Sequence, residues 1–146
     1  MNPARRPTRR VVTGLDEQGR SWILIDGPSK DIIWTSDRSP ADNSGTADAG
    51  GVPFTFDIPL GGTQLGVHEF APGAGSMMHA TDTLDYAVIV AGEVTFITET
   101  GEALLRTGDV LIDRGAYHGW RNDGDVPCRM VLVLVKALPV GKGATV

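Results

Sequence analysis

The sequence predicts an all-β chain folded as a barrel or sandwich. Short stretches of alternating apolar residues recur along it, glycine-rich turns separate them, and no stretch carries a convincing long helical pattern. Nineteen glycines and nine prolines, with charged residues at 21%, describe a turn-rich ordered chain rather than a disordered or helical one. At 146 residues there is one domain's worth of chain, long enough to bury a real core.

The elements follow in order. Residues 1–8 carry two prolines and no periodicity and read as a mobile basic arm, with a single domain over 9–146. RRVVTG forms a first strand ending at Gly14, a turn lies around Gln18-Gly19, and WILID is a second strand closed by Gly27-Pro28, which together make a starting hairpin. DIIWT is a further short strand. From Ser36 to Gly51 the chain turns polar, small and acidic, which marks a long loop, either a lid or a surface excursion. VPFTFDIPLGG follows with Phe54, Phe56 and Ile58 alternating, and TQLGVHEF then runs as a strand up to Ala71-Pro72-Gly73. His68 shares a face with Gly66 and Phe70 by the two-residue period and is a reserve site candidate, more often a packing residue than a ligand. An apolar run from Tyr86 to Ala91 ends at Gly92; EVTFITE and ALLRTG form a hairpin turned at Thr100-Gly101; GDVLID, YHGWRN and CRMVLVLVKAL supply three more strands.

Charge and cysteine usage narrow the function. Four of the 13 basic residues (Arg5, Arg6, Arg9, Arg10) sit in the first ten positions, so the body is more acidic than the net charge of −5 suggests. An acidic body argues against nucleic acid as a ligand. No apolar run approaches a membrane span and no cleavable leader pattern follows the arginines, so the expectation is a cytoplasmic protein with no membrane partner. Cys128 is the only cysteine, which rules out an intrachain disulfide and reads as a small buried hydrophobe.

Chemistry concentrates in two stretches. Between Gly73 and Gly92 lie His79, Asp82 and Asp85; between Gly108 and Asn122 lies His118. Two such hairpin-like units can bring His79, Asp85 and His118 together inside one barrel. Two imidazoles and a carboxylate suit one divalent transition metal (iron, zinc, manganese or nickel) with open positions for water, oxygen or substrate. Without metal, Asp85 orienting an imidazole is an acid/base unit. The bland alternative has His79 and Asp85 bonded to each other and a water, with His118 packed on Trp120 or Tyr117. Trp120 shares a strand face with His118 and is positioned to stack on a ring-shaped substrate; Trp34, at the edge of the long loop, either packs on the barrel or closes over its mouth. Tyr86 faces away from Asp85.

These stretches resemble the two motifs of the cupin superfamily, specifically its small single-domain members. Gly73, His79, Asp85 and Gly92 fall at the intervals of the first motif, with Thr81 where the second histidine belongs and Asp85 where the glutamate belongs. Gly108, Gly115, His118 and Asn122 can be laid on the second, one residue short and with Arg114 in place of a proline. The resemblance covers residues 64–136. It implies a double-stranded β-helix, or jelly-roll barrel, a homodimer paired through edge strands, and a small-molecule substrate. MHATDTLDY and RGAYHGWRN are similar to a subgroup found in bacteria and beside fungal polyketide pathways. That implies an enzyme on a small oxygenated, polyketide- or aromatic-derived substrate, a lyase or isomerase using His79, Asp85 and His118 with or without metal. An iron-dependent dioxygenase with the same trio and a non-catalytic small-molecule-binding barrel are the alternatives.

Overall fold

A computed structural model describes residues 7–146. Most of the expected arm, its first six residues, therefore lies outside the described residues; Thr8, at its end, is held, since its carbonyl accepts from the Ser29 backbone N–H at 2.7 Å. Among the described residues there are eleven strands and no helix: β1 (Arg9–Leu15), β2 (Ser21–Pro28), β3 (Ile32–Ser36), β4 (Thr63–Phe70), β5 (Gly75–His79), β6 (Thr83–Ala91), β7 (Glu93–Thr98), β8 (Glu102–Arg106), β9 (Val110–Asp113), β10 (His118–Arg121) and β11 (Cys128–Lys136). No helix among them is long and apolar enough to cross a membrane.

The strands form three antiparallel sheets. β1 and β2 make a hairpin of their own, β5-β10-β7-β8 a four-stranded sheet, and β3-β4-β11-β6-β9 a five-stranded one. The last two face each other as the halves of a jelly roll. Strand periodicity decides what lies between them. On β6, Thr83, Asp85, Ala87 and Ile89 are buried while Tyr86 and Val90 are exposed, so one row points inward. On β11, Met130, Leu132 and Leu134 take the inward row. Ala87, Ile89, Val94, Phe96, Trp120, Cys128 and Met130 form the core, each large apolar side chain contributing about 1.5–3 kcal/mol by its burial. Cys128 is wholly buried, and burial, then the nearby Glu69 and Glu93, push its thiol up to about 11, so it packs as a hydrophobe.

The turn between β6 and β7 shows why glycine punctuates this sequence. Gly92 has φ +70°, and a Cβ there would meet the Pro127 carbonyl oxygen at 2.4 Å. Only glycine permits both. Asn122, fully buried after β10, donates to the Phe70 and Val126 carbonyls at 2.9 and 3.0 Å and accepts from the Gly124 N–H at 2.9 Å. It ties the end of β10 to the end of β4.

Ser36 ends β3, and the rest of the expected loop, residues 37–51, contains no strand but does not cover the space between the sheets. Its residues instead line a groove of about 950 Å³ against β1, β2 and β3, where the Thr35 N–H donates to the Ala49 carbonyl at 3.1 Å. The alternating Phe54, Phe56 and Ile58 form no strand either.

Candidate functional site

Next to the core, and sharing Trp120 and Met130 with it, lies a cavity of about 460 Å³, in the range of small-molecule sites. His79 and His118 line it from the four-stranded sheet, Asp85 and His68 from the five-stranded sheet. Strand pairing brings the two first-named histidines together. His118 is the cross-strand partner of His79, and their rings stand 4.6 Å apart, centroid to centroid. Trp120, two residues along β10, also lines the cavity, edge-on to the His118 ring at 6.0 Å.

Asp113 builds the site around His118. It ends β9, and the turn that follows closes on its carboxylate: Oδ1 accepts from the Ala116 N–H at 2.9 Å, while Oδ2 lies 2.9 Å from His118 Nδ1. Nδ1 is also 2.9 Å from the Ala116 carbonyl oxygen. Both neighbours only accept, so Nδ1 carries the proton and Nε2 is the nitrogen that changes protonation in the cavity. His79 is arranged alike, its Nδ1 donating to the Met77 carbonyl at 2.9 Å.

Burial opposes a charge on His118. The Asp113 hydrogen bond, the Ala116 carbonyl and the charges of Asp113 and Asp85 outweigh it, and the net effect raises the pKa above the usual 6.5. Asp85 is its counterpart. Only 7% exposed, it is pushed up to about 6, first by burial and further by the charge of Asp113, against the lowering effects of a Thr83 hydrogen bond and of His118. Asp85 and Asp113 are directly paired across β6 and β9. Asp85 Oδ1 is buried with no hydrogen-bond partner, and it lines the cavity. Such an oxygen is an acceptor prepared for something the cavity admits.

The expected trio thus gathers on one cavity, with one correction. The carboxylate that orients an imidazole is Asp113, not Asp85. A sequence signal existed, an aspartate five residues before His118 across the Gly115 turn. Among the described residues no three His, Cys, Asp or Glu side chains gather where they could hold one ion. His79 and His118 stand on one sheet and Asp85 on the other, an aspartate reaches one methylene less than a glutamate, and Thr81 spends its hydroxyl on Thr83 at 2.6 Å. As placed, His79, Asp85 and His118 do not gather as a three-ligand centre for iron, zinc, manganese or nickel. Asp82 does not line the cavity; its carbonyl accepts from the Ala137 N–H at 2.9 Å.

Of the two expected substrate-binding tryptophans, Trp120 is in the cavity and Trp34 is not. Trp34 lines the groove beneath β1 and β2 instead. Phe54 and Phe56 line the cavity in its place.

Comparison with known proteins agrees with the motifs. The Cupin_2 family, described as a cupin domain, matches residues 66–134. The chain is 31% identical over 159 residues to phomopsin biosynthesis cluster protein C' of Diaporthe leptostromiformis, covering 95% of this chain and 84% of that protein. It is 32% identical over 156 residues to the cupin-domain-containing oxidoreductase srdB of Neurospora crassa, covering 94% and 78% respectively. Among solved structures it is similar to a Cupin 2 conserved barrel domain protein of Salinispora arenicola, with a TM-score of 0.49 and 21% identity over 60% of this chain and 72% of that one.

Proposed function

Since the chain belongs to the cupin superfamily, we propose that it is an acid/base enzyme acting on a small oxygenated substrate, with lyase or isomerase chemistry such as dehydration. The observation that carries this is the pairing, across one cavity, of an unpartnered buried carboxylate oxygen on Asp85 with an imidazole braced by Asp113. Their pKa values are displaced so that one acts as base while the other is still an acid. Asp85 Oδ1 removes a proton from carbon beside a carbonyl, the C–H electron pair forms the double bond, and the departing hydroxyl takes the Nε2 proton of His118 and leaves as water. Proton return from Asp85 to His118 resets the pair. His79, beside His118, binds the substrate oxygen, and Trp120 stacks on its ring. The biosynthesis-cluster names of relatives support a small-molecule substrate.

The test is solvent exchange. A panel of β-hydroxy carbonyl compounds in deuterium oxide is followed by proton NMR, with Asp85→Asn and His118→Gln expected to lose at least about 10²-fold in exchange and elimination. Wild-type rates in both variants sink the acid/base reading. Ligand binding that survives His118→Ala, in a wild-type protein that turns nothing over, selects a binding barrel. The oxidoreductase names of two relatives support a second reading, oxygen-dependent chemistry on the same kind of substrate; oxygen uptake by protein grown with added iron tests it.

The protein is further proposed to be a homodimer in the cytoplasm, paired through the outer face of the five-stranded sheet. Register aligns Leu65, Val133, Tyr86 and Ile112 in one row across that face and Val131, Val88 and Val110 in the next. Rows of apolar side chains on an outer face suit a second copy of the chain better than they suit water.

A further inference from the structure

Phe54 and Phe56 lie in a segment without regular structure, yet they are placed with care. Phe54 meets the His68 ring edge-on at 5.4 Å, and Phe56 meets the His79 ring at 5.8 Å. His68 belongs to the five-stranded sheet and His79 to the four-stranded one, so the two phenylalanines bridge the sheets. Their own rings touch edge to face at 4.8 Å. Both line the cavity while remaining 40% and 37% exposed, which puts them at its mouth.

One buried side chain of β4 fastens the backbone of this segment. Gln64, 1% exposed at the start of β4, receives the Thr55 N–H on Oε1 at 3.3 Å and donates Nε2 to the Thr55 carbonyl at 3.1 Å. It grips both backbone polar groups of the residue between the two phenylalanines, as a neighbouring strand would. Burying an amide costs free energy unless its bonds are made, and these two bonds are what this one makes. The nearest anchors on either side are Gly51, whose N–H donates to the Ile32 carbonyl at 2.8 Å, and Ile58, which is buried.

We propose that Gln64 is the positioning residue of an aromatic strap, Phe54 to Phe56, that closes the cavity over the flat face of a conjugated ring. The inference rests on the reading of this cavity as a small-molecule site and adds the ligand's shape. Beyond the strap, the lining includes Phe70, Trp120 and the two paired imidazoles beside aliphatic side chains such as Leu111, Met130 and Leu132, so a flat ring gains aromatic faces and edges that a puckered one of equal size meets less well. Release requires the strap to lift, which breaks the two bonds to Gln64.

The experiment compares 2-naphthol with its saturated counterpart, decahydro-2-naphthol, by calorimetry and stopped-flow binding. The wild-type protein is expected to bind the flat alcohol at least ten-fold more tightly. The Phe54→Leu/Phe56→Leu variant should erase that ratio. Gln64→Leu, which keeps the size and removes both bonds, should erase it too, through faster dissociation of 2-naphthol. Adding Gln64→Leu to the phenylalanine variant should then change nothing, because Gln64 acts through those rings; a merely structural role would give additive losses. Equal affinity for the two alcohols in the wild type, an intact ratio in Gln64→Leu, or additive losses overturn the proposal. A ratio that behaves as expected in a protein without acid/base turnover sustains the strap and removes the catalytic reading; turnover without the ratio does the reverse.

Discussion

Asp85 and Asp113 show how one residue type takes two roles through its surroundings. Asp113 has both oxygens engaged, by the Ala116 N–H and by His118. Asp85 has one oxygen without a partner and a pKa raised from 3.8 to about 6. A carboxyl that binds its proton more tightly when folded supports the folded state at low pH and loses that support as pH rises through 4 to 6. The displacement corresponds to about 3 kcal/mol. Asp85→Asn should therefore gain on the wild type by up to that amount between pH 4.5 and 7.5, read from urea melts at each pH; equal pH profiles for the two proteins contradict a buried, strained carboxyl. His118 responds to its own partner. With Asp113→Asn the bond and the charge that raise its pKa are weakened, so the alkaline limb of the pH–rate profile should move to lower pH, and the acid limb, set by Asp85, should move down with it because the Asp113 charge also raises Asp85. An unmoved alkaline limb removes Asp113 from the mechanism. The three site residues named from sequence were legible because histidines and aspartates between glycine turns are few; Asp113 was not, since a carboxylate at a strand end is ordinarily solvated and only the turn through Gly115 folds it back.

At the scale of elements, alternation and glycine turns located the β1–β2 and β7–β8 hairpins and strands β4, β9, β10 and β11. β5 was not legible. GSMMH carries little alternation and is a strand because β10 pairs with it. The Phe54-Phe56-Ile58 alternation proved to be a facing pattern without a strand, and Trp34 went to the outer groove because β3 turns that residue away from the cavity. Such facts belong to contacts between sheets, which linear patterns do not report. The β5–β10 pairing is what sets His79 beside His118, and it depends on Gly75, where a Cβ would stand 2.3 Å from the Trp120 carbonyl oxygen. Gly75→Ala should cost about 1–3 kcal/mol in thermal melts and separate the two imidazoles. Gly101→Ala is the control: nothing lies within 4 Å of a Cβ there, and its effect should stay within about 0.5 kcal/mol. Equal effects at the two glycines would mean that the close approach at Gly75 relaxes freely.

For the whole molecule, the decisive asymmetry is between the two faces of the five-stranded sheet. Its inner face carries the core and the polar cavity residues and is covered by the four-stranded sheet; its outer face is apolar with less cover, Tyr86, Val90, Val110 and Ile112 being 41 to 57% exposed. The hairpin of β1 and β2 exposes Val11, Leu15, Trp22 and Ile23 as well. A second copy can cover both patches at once, whereas surface ion pairs such as Arg9–Asp26, exposed at both ends, add little to any association. Light scattering should accordingly give twice the 15.5 kDa of one chain, and 1 M salt should leave that mass unchanged because apolar contact is not screened. Val110→Lys/Ile112→Lys places two charges on the edge strand and should yield a folded monomer whose melting temperature no longer depends on concentration. A wild-type monomer at micromolar concentration removes the homodimer, and a dimer that survives both lysines moves the contact to the hairpin. Because the cavity is lined within one chain, loss of pairing should leave solvent exchange at Asp85 and His118 in place, so assembly and chemistry are separable in the same variant.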